Sequence, residues 1–579
     1  MISLAMILQA ILAYSQKGIL LNMVNILGLH FGHDGSACIV KDGRLVSAIS
    51  TERLNGIKKF YGVTPETIEY VLDKAGIGYE DIDVITLADY IQPNSHETLK
   101  LFDKSGKELL LCSQVVFGNE TLEIEGELNG IRIPVVVLPH HTCHAASTFY
   151  TSNLDESVVL TMDGTGGDQR STSWIALGKG NKLNHVDYPE MHVGELYGDF
   201  TALLGLGPSV YKAGSTMGLA SYGKPVQHAI DNTENFMIRL SGMNYRFLEA
   251  PDMFSEMWED TEEDVNFVDF EKTPDAVMYG DPQKENKVLP WETVSGMNAA
   301  ASIQYLFEKQ ISHTIENKVK VFEETKDVKN ICLAGGSFLN CNANSVVKNT
   351  GYFDNVHLFP ASGDDGICVG SALYYAHHVL DYPRETYSFS DLAYMGSESF
   401  ELKEEEYVYL ANEIANGKII AWVSGDSEYG PRALGHRSIL ADPRNFHNRE
   451  ILNFVVKNRE WFRPFAPVVL EEEAHNWFEP GDPSKYMLFT QKVLQPEKIP
   501  AVTHVDGTAR IQTINEEDNA PYYKLIKEFF KITGVPALIN TSFNANGKPI
   551  VHKRQNAINN FHLNKAIDIL VIDGKIITK

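Results

Sequence analysis

The chain has 579 residues, too many for one compact core, so two or more domains are expected. Apolar residues make up 44% and charged residues 22%, as in ordinary globular proteins, while a net charge of −26 argues against general nucleic-acid binding and against docking on anionic membranes. Six cysteines, none in a C-x-x-C pair and most in apolar runs, predict buried thiols in a reducing, cytoplasmic compartment rather than a disulfide framework.

Residues 1–22 start apolar but lack a basic leading segment, and the apolar run is too short to span a bilayer; with Met23 directly ahead of the first convincing strand, they read as an extension or a mis-set start. "VNILGLHFGHDGSACIVKDGRLVSAISTERL" then predicts three strands joined by a polar turn and a "KDG" turn. Residues 65–76 have helical spacing and 82–88 reads as a buried strand. Residues 157–186, "SVVLTMDGTGGDQRSTSWIALGKGNKLNHV", repeat the same grammar. Two such meanders, each followed by helical material, predict a duplicated α/β unit of the actin, sugar-kinase and Hsp70 class, in which nucleotide phosphates face Gly-rich turns. Residues 253–288 are acidic without periodicity and predict a surface insertion, and 296–322 predicts a long amphipathic helix. "KNICLAGGSFLNCNANSVV" predicts a strand, a Gly335-Gly336 turn and a helix, where the glycines either admit a flat or anionic ligand or make a tight turn. Pro383 and a polar run mark a linker near 380–400, followed by a helix over 403–415 and a strand over 418–423.

Chemistry concentrates in a few stretches. "LPHHTCHAAS", residues 138–147, places His140 and His144 at i, i+4, on one helical face and at a usable spacing for two imidazole ligands on one metal. A helix start rich in histidine is the plainer alternative. His141 points elsewhere on such a helix, where it either contacts substrate or stabilises the site. Asp163 ends the strand that opens the second meander, and the Gly-rich "ASGDDG" turn offers Asp364 and Asp365. Two His and two Asp suit a six-coordinate Fe or Mn ion better than a closed structural zinc. From Arg432 to Arg463 there are seven basic residues, Arg437 and Lys457 among them, against three acidic ones. This local excess in an acidic chain is either a solvated basic face or a pocket for phosphate. Arg510, Asn540 and Ser542 are further donors or ordinary turn and strand-end residues. In "HFGHDGSA", His33 is a general-base candidate or a turn residue held by Asp34, and "ERLNGIKKF" carries Lys58.

In combination, "HDGSA", "HHTCHAAS", "MDGTGG", "GGSFLNC", "EYGPRALGHRSILADPR", "VKNREWFRPFAP", "HVDGTARIQT" and "NTSFN" resemble the O-carbamoyltransferases of antibiotic, toxin and nodulation-factor biosynthesis. The resemblance runs from Met23 nearly to the C-terminus. It implies an α/β protein of two units. Residues 23–390 would be a duplicated actin-like domain, similar to the metalloprotein of tRNA threonylcarbamoyl transfer. Residues 391–579 would be a YrdC-like domain that forms an acyl-adenylate. The implied reaction joins carbamoyl phosphate and ATP, with Mg2+, into carbamoyl-adenylate and pyrophosphate. The carbamoyl group then passes to a hydroxyl of a small-molecule acceptor, releasing AMP.

Carried over residue by residue, His140, His144, Asp163 and Asp364 would hold a divalent metal, Fe2+. His33 would act as base and Lys58 as a phosphate or carbonyl partner. His141, Gly164, Gly335, Gly336 and Asn340 would line the nucleotide site of the transfer domain. Arg432, Arg437, Lys457, Arg463, Arg510, Asn540 and Ser542 would bind carbamoyl phosphate and ATP. Many relatives have Arg where this chain has Asn546; the loss of that donor would weaken or reroute a phosphate contact, or Lys548 would substitute. A tRNA-directed transferase is disfavoured by the charge and by the "GPRALGHRS" domain, and a hydrogenase-maturation enzyme by the lack of C-x-x-C. A non-catalytic actin-like nucleotide-binding module is the alternative from another class. Neither the acceptor nor the oligomeric state, a homodimer included, can be read from the sequence.

Overall fold

The computed structural model describes residues 23–88, 98–103, 105–109, 122–164, 172–189, 191, 193–207, 209–231 and 289–579. The expectations for 1–22, Cys112 and the acidic stretch 253–288 lie outside these residues. The first sheet holds β1 (Asn25–His30), β2 (Ser36–Lys41), β3 (Arg44–Ser50), β4 (Val84–Ala88), β5 (Leu99–Phe102), β6 (Leu122–Leu128) and β7 (Ile131–Leu138), in the order β3-β2-β1-β4-β7-β6-β5. The second holds β8 (Glu156–Met162), β9 (Ser173–Lys179), β10 (Lys182–Asp187), β11 (Asn330–Ala334) and β12 (Asn355–Leu358), in the order β10-β9-β8-β11-β12. In both sheets the three meander strands pair antiparallel, and the first of them continues into two parallel neighbours. This shared order and sense is the duplicated actin-like arrangement expected from the two meanders. The "KDG" turn is a two-residue hairpin with Asp42 at φ 53° and Gly43 at φ 86°, the left-handed pair that matches strand twist.

The helices that matter for the site are α1 (Pro65–Ala75), α2 (His140–Tyr150), α3 (Val193–Leu203), α4 (Ser209–Ala220), α5 (Val294–Thr314), α6 (Cys341–Asn349) and α7 (Ile367–Leu373). The two sheets enclose α2 and α7, whose small residues allow a close crossing: a Cβ on Gly370 would lie 1.8 Å from the Cys143 carbonyl oxygen. Helix α1 covers the outer face of the first sheet, and α3, α4 and α5 cover that of the second. The helix expected over 296–322 is α5 plus one wide turn, Ile315–Val319. It ends at Lys320, whose Nζ folds back onto the carbonyls of Lys326 and Val328. Five cysteines are buried and free.

The region expected to be a linker is packed. Residues 381–388 lack regular structure, and α8 (Phe389–Ala393) starts in a capping box between Ser388 and Asp391. Tyr387 and Leu392 join the core of the N-terminal unit, whereas Phe389, Ala393 and Tyr394 join that of the C-terminal unit. The C-terminal unit begins with α9 (Glu404–Ala415) and is built on nine strands: β13 (Ile420–Val423), β14 (Arg437–Ala441), β15 (Ala466–Leu470), β16 (Phe478–Glu479), β17 (Phe489–Val493), β18 (Thr508–Ile514), β19 (Ala537–Ser542), β20 (Ile569–Ile572) and β21 (Lys575–Thr578). They run in the order β16-β17-β18-β15-β19-β14-β13-β20-β21. The two units interlock. Asn344 and Ser345 of α6 donate to the carbonyls of Leu488 and Thr490, and Phe462 is buried in the core of the N-terminal unit.

Candidate active site

The crossing of α2 and α7 brings four ligand atoms together. His140 and His144 lie one turn apart on α2 with their Nε2 atoms 3.0 Å from each other. Asp163, directly after β8, has its Oδ1 held by the Gly164 amide at 2.7 Å, which leaves Oδ2 at 3.0 Å from His144 Nε2 and 3.4 Å from His140 Nε2. Asp364 enters from the turn before α7, with Oδ1 3.3 Å and 3.8 Å from the same nitrogens. All four ligand atoms fall within 4.8 Å of one another. Ligands about 2.1 Å from one ion and at right angles would lie about 3.0 Å apart, so the set fits a single divalent cation. It offers two imidazole nitrogens and two carboxylate oxygens, a set suited to iron or manganese.

The metal-free electrostatics agree. Burial raises the pKa of Asp163, but hydrogen bonds from His140 and His144 outweigh it and hold the carboxyl well below its ordinary range. Burial and His140 lower the pKa of His144, but Asp163 and Asp364 overturn this and raise it. Two carboxylates facing two imidazoles therefore attract positive charge, either protons or an ion.

A second tier surrounds the cluster. His33 Nε2 lies 3.2 Å from Asp364 Oδ2 and its Nδ1 3.0 Å from Asp34 Oδ2; Lys59 Nζ donates to that same Asp34 oxygen at 2.7 Å. Burial lowers the pKa of His33, but Asp364 and Asp34 more than compensate and lift it to about 9. A protonated imidazole lacks the lone pair that a base needs. The base role expected from the sequence thus requires the carboxylate charge to be offset by a bound cation. Asp365, next to the ligand Asp364, is pushed up to about 7 by burial and by Asp34.

The basic cluster faces the same space. One cavity of about 870 Å³ reaches from His33, Asp163 and Asp364 to Arg432, Lys457, Arg463 and Arg510. Asn540 and Ser542 line it too, as do Gly164, Gly336 and Asn340. Asn340 also caps α6 through its side chain, which is paired with Gln304. Lys457 Nζ is 2.7 Å from Asn544 Oδ1 and reaches the Ser542 carbonyl, and Ser542 Oγ donates to Asn544. Burial, Arg459, Lys58 and Arg463 push the Lys457 ammonium well below its ordinary pKa. Burial and Arg510 lower Arg432 to about 9. Crowded cations of this kind are relieved by bound anions. Lys58 lines the cavity at this end, near Lys457 and Arg463, and not beside the metal cluster.

Four expectations need correction. Arg437 is 1% exposed, outside the cavity lining, and spends its guanidinium on the carbonyls of Ser424, Gly425, His436 and His552; it ties the 424–437 loop to the core. His141 pairs with Thr161 Oγ1 at 2.8 Å and its ring lies 5.4 Å from that of His140; like His140 and His144 it is outside the cavity lining, so it stabilises the histidine cluster and does not contact a nucleotide directly. Gly335 sits at φ 103° against the backbone of β8, where a Cβ would come 2.1 Å from the Met162 carbonyl oxygen; the tight-turn alternative holds there. Lys548 is exposed and lies outside the lining, so it does not replace the arginine absent at Asn546, whose amide bonds the Asn458 carbonyl.

Three lining cations were not singled out as site residues from the sequence: Lys59, Lys212 and Arg459. Arg459 belonged to the basic run and carried a usable signal, whereas Lys212, within "SVYKAGSTMGLA", carried none.

Comparison with known proteins fits this site. Residues 25–373 match the family model described as carbamoyltransferase N-terminus, and residues 411–579 match that described as carbamoyltransferase C-terminus. The nodulation protein NolNO of Sinorhizobium fredii is 34% identical over 95% of this chain and 79% of its own length. An uncharacterized protein of Synechocystis is 32% identical over 96% of this chain and 97% of its own. Nodulation protein U of Bradyrhizobium diazoefficiens is 28% identical over 91% and 93%. With both family models in sequence order and a metal-ligand cluster sharing one cavity with a cation cluster, the chain belongs to the carbamoyltransferase family.

Proposed function

We propose that the protein is an ATP-dependent O-carbamoyltransferase working in two steps within one cavity. In the first step carbamoyl phosphate loses its phosphate to water, and the resulting carbamate oxygen attacks the α-phosphorus of ATP. The bond to the β-phosphate bridge breaks, giving carbamoyl-adenylate and pyrophosphate. Lys457, Arg463 and Arg510 hold the phosphates and stabilise the charge that develops, supported by Arg432, Arg459 and Lys58. In this reading the C-terminal unit is the YrdC-like adenylate-forming half, and Mg2+ accompanies the nucleotide.

In the second step an acceptor hydroxyl attacks the carbamoyl carbon and AMP leaves. His140, His144, Asp163 and Asp364 would hold the ion, Fe2+ by the resemblance, which when bound supplies Lewis-acid polarisation of the carbamoyl carbonyl. His33, Asp34 and Lys59 orient Asp364 and offer a relay for the hydroxyl proton. Gly164 and Gly336 have no side chain to obstruct the adenylate at this end. The acceptor is a small molecule rather than a nucleic acid or a membrane surface, in keeping with the net charge of −26, and the setting is cytoplasmic. No helix among the described residues is long and apolar enough to cross a membrane.

The observation that carries this reading is the joining of both clusters by one cavity. Incubating the protein with carbamoyl phosphate and ATP alone should release pyrophosphate, and adding an acceptor alcohol should yield AMP and a carbamate ester by mass. Intact carbamoyl phosphate without pyrophosphate would refute the adenylate step.

A further inference from the structure

The phosphate end of the cavity is assigned to the C-terminal unit, yet the structure completes it with α4 of the N-terminal unit. Residues 459–464, "REWFRP", leave the C-terminal unit and enter the other: Phe462 is fully buried in the core built by α3, α4 and α5, and Trp291 meets its ring edge-on at 5.5 Å. Next to Phe462 stands Arg463. Its Nη1 donates at 2.7 Å to Ser215 Oγ, on a fully buried α4 residue, and lies 3.5 Å from Glu460 Oε2. Glu460 in turn accepts from Lys212 Nζ of the same helix at 2.8 Å. Pro464 closes against α4 at Gly218, where a Cβ would come 3.2 Å from the proline ring. One helix therefore fixes the counter-charge and the guanidinium of a single arginine, whose backbone carbonyl is held by Asn453 of the C-terminal unit. Tyr211, Lys212, Gly214 and Met217 of that helix also line the cavity.

We infer that Ser215 is a positioning residue for adenylate formation: from the N-terminal unit it holds the Arg463 guanidinium toward the phosphates bound at the C-terminal unit. This rests on the function proposed above. A guanidinium on a long side chain has many rotamers, and its lost freedom weakens anion binding unless a neighbour selects one of them. Ser215 makes that selection, so the first step depends on an element of the unit that performs the second.

The test uses the full chain and carbamoyl-phosphate-dependent exchange of labelled pyrophosphate into ATP, with calorimetric binding of inorganic pyrophosphate alongside. Ser215→Ala should raise the KM for carbamoyl phosphate or for ATP about tenfold and weaken pyrophosphate to match, with kcat changed less. Thr216→Val is the control. Thr216 is buried on the same helix but pairs with Thr201 at 2.7 Å inside the N-terminal core, so its loss disturbs the helix without touching Arg463. Thr216→Val should keep both KM values of the wild type. Equal KM values and equal pyrophosphate affinity in Ser215→Ala and Thr216→Val would overturn the inference while leaving the two-step reading intact. Absence of any exchange in the wild type would overturn both.

Discussion

The two ends of the cavity are built on opposite electrostatic principles. At the metal end, two carboxylates and two imidazoles from the N-terminal unit converge within 4.8 Å, each delivered by a rigid element: α2, the end of β8 and the turn before α7. At the phosphate end, lysines and arginines from both units crowd together, and their pKa values are driven down by burial and by one another. The first offers a site for a cation and the second a site for anions. Sheet and helix termini set the first, whereas the fit of two units sets the second. The metal end is thus intact within one unit, and the phosphate end exists only when the units are docked.

Mutation at the metal end should give the largest single effect. His144→Ala removes a ligand that is fully buried. Metal affinity and carbamoyl transfer should fall by more than about 100-fold, while pyrophosphate exchange is unchanged. Atomic absorption on the purified variant and the exchange assay read the two separately. Arg463→Ala should do the reverse: exchange falls by about 100-fold and metal content stays at the wild-type level. Parallel loss of both activities in either variant would abolish the distinction between the ends.

A pH profile sharpens it. Lys457 binds anions only when protonated, and its pKa lies well below the ordinary 10.5. Pyrophosphate affinity should therefore fall as pH rises through that lowered value, well before 10.5, and the fall should shrink in Lys457→Met, the remainder following Arg432. Calorimetry across the alkaline range checks this. The smallest effect expected is that of Asn546→Arg. The residue is exposed, so restoring an arginine there should tighten pyrophosphate binding by no more than about fivefold.

The legible part of the fold was its meanders, because Asp-Gly and Gly-containing turns interrupt apolar strands at regular intervals. The convergence of the four residues that the resemblance names as ligands was legible, since each lies in a short local motif that carries its own geometry. Arg437 stands in the same basic run as Arg432 and Arg463, and charge alone cannot separate a guanidinium that binds carbonyls from one that faces a cavity. Gly335 and Gly336 are adjacent, but only the second has its Cα turned to the cavity lining, a matter of φ that the letters do not record. The linker at 380–400 looked polar because polar residues separate its apolar ones over 381–391, yet those apolar residues divide between two cores. The contribution of α4 could not be seen at all. Ser215 and Arg463 are 248 positions apart, and nothing in either stretch announces the other.

The claim that both steps share one cavity is tested most directly by mixing His144→Ala with Arg463→Ala. The first variant makes carbamoyl-adenylate but cannot transfer it, and the second can transfer but cannot make it. If the intermediate stays within one chain's cavity, the mixture forms no more carbamate ester from carbamoyl phosphate, ATP and acceptor than the two variants do apart. Recovery of wild-type transfer in the mixture would show that the intermediate crosses solvent and would contradict the single-cavity account.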